Sequence, residues 1–198
     1  MGQYLDIKDN YFVNQYITRL ARRFWSFNIA LNLFLQLSGR QIVETGCIRL
    51  EGDWPAGYST YLFAEFVSKF GGRFDSCDIS EKSLDVARKV CEPFRKFVCF
   101  HKEDSLVFLE KWSKPIDLLY LDSVDCDPGS EEISKKAQEH QLKEIKLAYP
   151  NLTGNAIVLL DDNYFKNGGK TRLAKKWLAE NNFVNLMDYE QSLWIRAK

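Results

Sequence analysis

The sequence is short of several things: it holds only two histidines, an odd five cysteines and no surplus of either charge among its 198 residues. Each shortage excludes something. None of the cysteines forms a C-x-x-C pair, so neither a disulfide framework nor a zinc site is indicated, and reduced thiols in a cytoplasm are the expectation. The 27 Lys and Arg balance 27 Asp and Glu; without a basic excess for phosphates, no nucleic-acid partner is expected. No basic start with an apolar run and cleavage site opens the chain. The most apolar stretch, Ile29 to Leu37, carries Asn32 and Gln36 and falls far short of the ~20 residues of a membrane span. There is no internal repeat, linker or low-complexity segment.

What is present is the composition of a soluble globular protein, 45% apolar and 27% charged, at a length that suits one domain over residues 1–198. The organising stretch is Gln41 to Asp78. A short apolar strand (Ile42, Val43) ends on Glu44 and breaks at Gly46. A helix follows, with Ser59 and Thr60 as candidate caps and Leu62, Phe63, Phe66, Val67 and Phe70 at helical spacing, until Gly71-Gly72 ends it. A second strand, Arg73 to Cys77, closes on Asp78. Strand, helix and strand form a βαβ unit whose right-handed crossover leaves the strands parallel, so both acids emerge at the carboxyl edge, where ligands bind in open parallel sheets.

The rest of the chain keeps this alternation. Residues 10–37 read as one long helix or two, with an apolar stripe of Phe12, Val13, Tyr16, Ile17, Leu20, Phe24, Leu31, Phe34 and Leu35 and with Arg19, Arg22 and Arg23 mostly off it. This extension, residues 1–39, packs on the sheet, or serves as a lid or homodimer surface. Ser80 caps a helix that Pro93 stops, a third strand covers Phe97 to Phe100, and Asp104 or Ser105 caps the next helix. Cys77 and Cys99 are expected as small core residues within their strands. The fourth and fifth strands, Ile116 to Leu121 and Ala156 to Leu160, are almost unbroken apolar runs, as strands buried on both faces are. They end on Asp122 and on Asp161-Asp162-Asn163. A polar helix over about Glu131 to Tyr149, a helix over Thr171 to Glu180 and two final strands complete an α/β sheet.

The Glu44-x-Gly46 loop and the acid Asp78 resemble those of the class I methyltransferases that use S-adenosylmethionine (SAM). The resemblance spans roughly residues 40–198. It implies a three-layer Rossmann-like fold with a seven-stranded, mostly parallel sheet and an antiparallel last strand. It also implies a cofactor seat in which Glu44 and Gly46 lie under the methionine part, Asp78 holds the ribose, and Asp104, with the adjacent small polar Ser105, meets the adenine; Cys47, Ser59 and Ile79 are further candidate cofactor-binding residues. The chain departs from the family at the loop, where Cys47 and Ile48 replace further glycines and Gly57 follows an inserted run, Arg49 to Ala56.

Glu44, Asp78, Asp122 and Asp161 or Asp162 all emerge at one edge, and two acids suffice for a nucleoside. The surplus lies after adjacent strands, where oxygen ligands suit a hard divalent cation such as magnesium. Asp122, Asp162 and Asn163 match the pattern of metal-dependent O-methyltransferases, with Asp161 as rival to Asp162. The expected reaction is methyl transfer from SAM to a hydroxyl of a small molecule, with Asp122 at the acceptor. His140 is the candidate base, and His101, Lys170 and Lys102 are alternatives. Competing readings are a cofactor-binding protein without catalysis, an aminopropyl transferase and a nicotinamide-dependent oxidoreductase. The last is disfavoured because no G-x-G-x-x-G stands between strand and helix.

Overall fold

A computed structural model describes residues 11–56 and 58–197; Gly57, the expected helix start at residue 10 and the side chain of Val13 lie outside them. Strands β1 (Gln41–Thr45), β2 (Arg73–Asp78), β3 (Val98–Lys102), β4 (Ile116–Leu121) and β5 (Leu152–Leu160) run parallel. The chain then forms β6 (Phe183–Asp188) at the edge and inserts β7 (Ser192–Arg196) antiparallel between β5 and β6. The order is β3-β2-β1-β4-β5-β7-β6, the seven-stranded sheet that the alternation and the resemblance imply.

The unbroken apolar runs are explained by cover on both faces. In β4, Leu118 and Tyr120 join one core layer while Leu119 and Leu121 join the other. The first layer is roofed by α1 (Tyr11–Tyr16), α2 (Phe24–Gln36) and α3 (Ser59–Phe70), with α4 (Glu81–Val90) beside α3. The second is roofed by α5 (Ser105–Lys111), α6 (Glu131–Ala148) and α7 (Arg172–Glu180). Cys77 is in the core, but Cys99 is exposed because β3 is an edge strand with an uncovered face.

The N-terminal stretch is two helices, broken by a short 3-10 turn at Ala21–Arg23 with Ala21 at φ 46°. Its stripe packs across β4, β5 and β7, burying Phe12, Tyr16, Leu20, Phe24, Phe27, Leu31 and Phe34, while Ile17 turns to solvent. Phe27 sets its ring against Phe63 of α3 and Tyr120 of β4, centroids 5.6 and 5.5 Å away. Each large apolar side chain so buried stabilises the fold by about 1.5–3 kcal/mol. The extension is therefore part of the core layer.

Two helices start on caps expected from the sequence, Ser80 and Asp104, and a third starts on Ser130, which is not among the expected caps. Ser80 accepts from the Ser83 amide, Asp104 from Leu106 and Val107, and Ser130 from Ile133. Helix α3 does not: Ser59 and Thr60 are its first residues and their hydroxyls point elsewhere. Among the described residues, no helix is long and apolar enough to cross a membrane.

Candidate functional site

Because β1 lies between β2 and β4, the crossovers run outward in opposite directions on its two sides. Such a switch point leaves a crevice at the carboxyl ends of the strands. Here it measures about 380 Å3, lined by Gly46 and Cys47 after β1, Asp78 ending β2, Asp122 and Ser123 after β4, and Tyr58 and Ser59. That is within the roughly 300–1,000 Å3 of small-molecule sites. A second hollow of about 60 Å3 shares Gly46, Asp78 and Ser123 and adds Ile79, Asp104, Ser105 and His140. Asp78 stands between the two.

Gly46 makes the crevice possible. It sits at φ 80°, and a Cβ there would lie 2.3 Å from the Asp122 carbonyl oxygen, so a side chain is excluded both by conformation and by space. The turn lets the Cys47 amide donate to Asp78 Oδ2 at 3.0 Å, while the Ser80 amide donates to Oδ1 at 2.7 Å. Asp78 is thus oriented by backbone yet keeps acceptor capacity toward both hollows. The Cys47 thiol packs with Leu84 and Ala87; burial, then Asp78 and Glu44, pushes its pKa upward, so it offers no nucleophile.

Glu44 does not reach the crevice, contrary to the expectation that it lies under the methionine part. It is fully buried, and accepts from Ser59 at 2.6 Å, Thr60 at 2.8 Å and Ser76 at 2.6 Å. Its work is to tie the first turn of α3 to β1 and β2, which is why those hydroxyls are not caps. Burial raises its pKa to about 7 against the three donors.

The inserted run folds into a roof over the crevice, tied to the N-terminal extension. Trp54 meets Tyr16 and Tyr58 at centroid distances of 5.6 and 4.5 Å, and the Arg19 guanidinium lies 5.0 Å over its ring. Arg23, expected off the buried stripe, is enclosed and donates to the Pro55 carbonyl at 2.8 Å.

The surplus acids do converge, but on cations of the chain itself. Lys170 Nζ is 2.6 Å from Asp122 Oδ1 and 3.1 Å from Asp162 Oδ2, and Arg23 grips Asp161. Burial pulls Lys170 toward neutrality, but Asp122, Asp162 and Asp161 outweigh it and raise its pKa; the side chain is spent on these carboxylates and does not line the crevice. Burial pushes Asp122 well above the ordinary carboxylate range, with Lys170 opposing. Asp161 lies below that range, Arg23 and Lys170 overcoming its burial. Of the two cations, the sequence reading names Lys170 only as an alternative base and Arg23 only as a residue off the apolar stripe.

The magnesium ligands expected from the resemblance do not fit an ion as placed. Asn163 spends its amide nitrogen on the Tyr189 carbonyl at 2.7 Å, and its oxygen accepts from Thr171 at 2.7 Å and Lys175 at 2.9 Å. Asp122 and Asp162 already share an ammonium. Among the described residues, no three His, Cys, Asp or Glu are grouped to hold a metal.

His140 lies apart from the acceptor acids. Its Nε2 is 2.9 Å from Ser105 Oγ and 3.7 Å from Glu144, and it borders the smaller hollow, which Asp122 does not line. It is a wall of that hollow and not of the crevice that Asp122 lines. His101 is held by Asp75 at 2.7 Å.

Residues 54–163 match the family model described as a methyltransferase domain. Among solved structures, the chain is similar to the SAH-bound methyltransferase PaMTH1 of Podospora anserina, with 14% identity, a TM-score of 0.64 and coverage of 100% of this chain and 89% of that one. SMU.1697c of Streptococcus mutans, in complex with SAH, is 13% identical with a TM-score of 0.59 over 86% and 96%. A SAM-dependent O-methyltransferase of Thermotoga maritima is 15% identical with a TM-score of 0.56 over 87% and 64%. At these identities the likeness is one of fold. No curated protein sequence matches the chain.

Proposed function

Because the chain belongs to the methyltransferase-domain family, we propose that it transfers a methyl group from SAM to a hydroxyl of a small molecule. The observation that carries this reading is the placement of Asp78 and Asp122 on one crevice, on either side of Gly46. Of the acids that line it, Asp125 is paired with Arg49 and Asp122 with Lys170, which leaves Asp53 and Asp78 to face a cationic ligand.

Bound SAM would supply an electrophilic methyl group on a sulfonium. In the proposed arrangement Asp78 accepts from the ribose hydroxyls, and Ile79, Asp104 and Ser105 enclose the adenine in the smaller hollow. Gly46 lets the loop close on the remainder. Asp122 then faces the acceptor, held toward the crevice by the Lys170 ammonium at 2.6 Å, and its carboxylate is the group placed to accept the hydroxyl proton. Holding donor and acceptor in line supplies much of the acceleration in such a displacement. No step requires a metal.

The test is methyl transfer from isotopically labelled SAM to a panel of hydroxyl compounds, with Asp122→Asn beside the unaltered protein. Removing the base should lower turnover about 100-fold or more while SAH binding persists. Binding of SAH without transfer to any acceptor would favour the cofactor-binding protein that does no chemistry.

A further inference from the structure

We propose that the ammonium of Lys170 is the resident cation of this site, filling the space between the acids after β4 and β5 that a divalent ion would need and holding Asp122 toward the crevice. The side chain is 2% exposed and lies between Asp122 Oδ1 and Asp162 Oδ2, at 2.6 and 3.1 Å. A bare ammonium is strongly disfavoured in such a place, so it stays charged only because carboxylates surround it.

The backbone is shaped to deliver it there. Asp162 takes the left-handed conformation at φ 54°, uncommon outside glycine. Gly169 is also at φ 54°, and a Cβ on it would fall 1.7 Å from the Asp162 carbonyl oxygen. Only glycine lets the chain double back so closely. The return is held by the Lys170 amide donating to that same carbonyl at 3.2 Å and by Gln138 donating to the Gly169 carbonyl at 2.8 Å.

The other oxygens are also committed. Asp161 belongs to Arg23, and Asn163 to Tyr189, Thr171 and Lys175. A divalent ion would have to expel a buried ammonium and take ligands already bonded. Lys170 does not line the crevice; it is a positioning residue that acts through Asp122. Asp122 Oδ2 in turn accepts from the Tyr120 hydroxyl at 3.4 Å, which Gln191 steadies at 3.1 Å. The inference rests on the proposed function only for the use made of Asp122, and its test reads metal binding without turnover.

Mn2+ titrated to millimolar concentration into the full chain, followed by electron paramagnetic resonance, should reveal no saturable site. Lys170→Ala opens the space and leaves the carboxylates, and should gain such a site; adding Asp162→Asn should remove it. A lysine that merely packs would not produce that gain. Saturable Mn2+ binding by the unaltered protein that Asp122→Asn abolishes overturns the proposal, as does a folded Lys170→Ala protein that binds none. Where circular dichroism shows that Lys170→Ala does not fold, the unaltered chain decides: binding lost on Asp122→Asn overturns the proposal, and no binding upholds it.

Discussion

Arg23 and Asp161 meet as a fork: Nε lies 3.0 Å from one carboxylate oxygen and Nη2 3.1 Å from the other, with 12% and 2% of the side chains exposed. The pair joins the N-terminal extension to the end of β5. Since the same guanidinium reaches the Pro55 carbonyl, it also fastens the crevice roof.

Breaking that fork should be costly. Arg23→Met strands a buried carboxylate, which typically costs about 3–5 kcal/mol, and Asp161→Asn leaves the buried guanidinium without its counter-charge at comparable cost. Because the two act as one unit, the double variant should lose less than the singles together. A coupling above about 1 kcal/mol in a double-mutant cycle, measured by urea unfolding, is the expected result; additive losses would show that the contact is dispensable.

Glu44 should make the fold pH-sensitive. Its ordinary pKa is 4.5 and the folded one about 7, so between these values the folded state keeps a proton that the unfolded chain has lost. Stability from this group is therefore full below about pH 4.5, falls as pH rises to about 7 and then levels, for a change of about 3 kcal/mol. Glu44→Gln should remove this part of the slope when unfolding free energies are compared across the same pH range. An unchanged slope would mean that Glu44 is ionised in the fold throughout.

Much of this architecture is legible in the chain because local rules and global packing agree. Strands β4 and β5 read as doubly covered, Gly46 as a turn, and Ser80 and Asp104 as caps, and each is so. The rest depends on partners far away in sequence. Nothing near Ser59 reveals that its hydroxyl will serve a glutamate 15 residues back, or that one arginine of three will turn inward to meet an acid 138 residues on. Asp162 and Asn163 resemble metal ligands in sequence, and only the folded turn shows Lys170 between the carboxylates. His140 stood out by residue type, but helix α6 carries it to the neighbouring hollow.

Asp78 is proposed to organise a nucleoside seat at the β1–β4 switch point, and titration calorimetry with SAH reads that role without turnover. Saturable binding at one site is expected, weakened about 10- to 100-fold by Asp78→Ala, the loss expected for hydrogen bonds to a charged group, in a variant that still folds. No heat from the unaltered protein, or equal affinity in the variant, would contradict it.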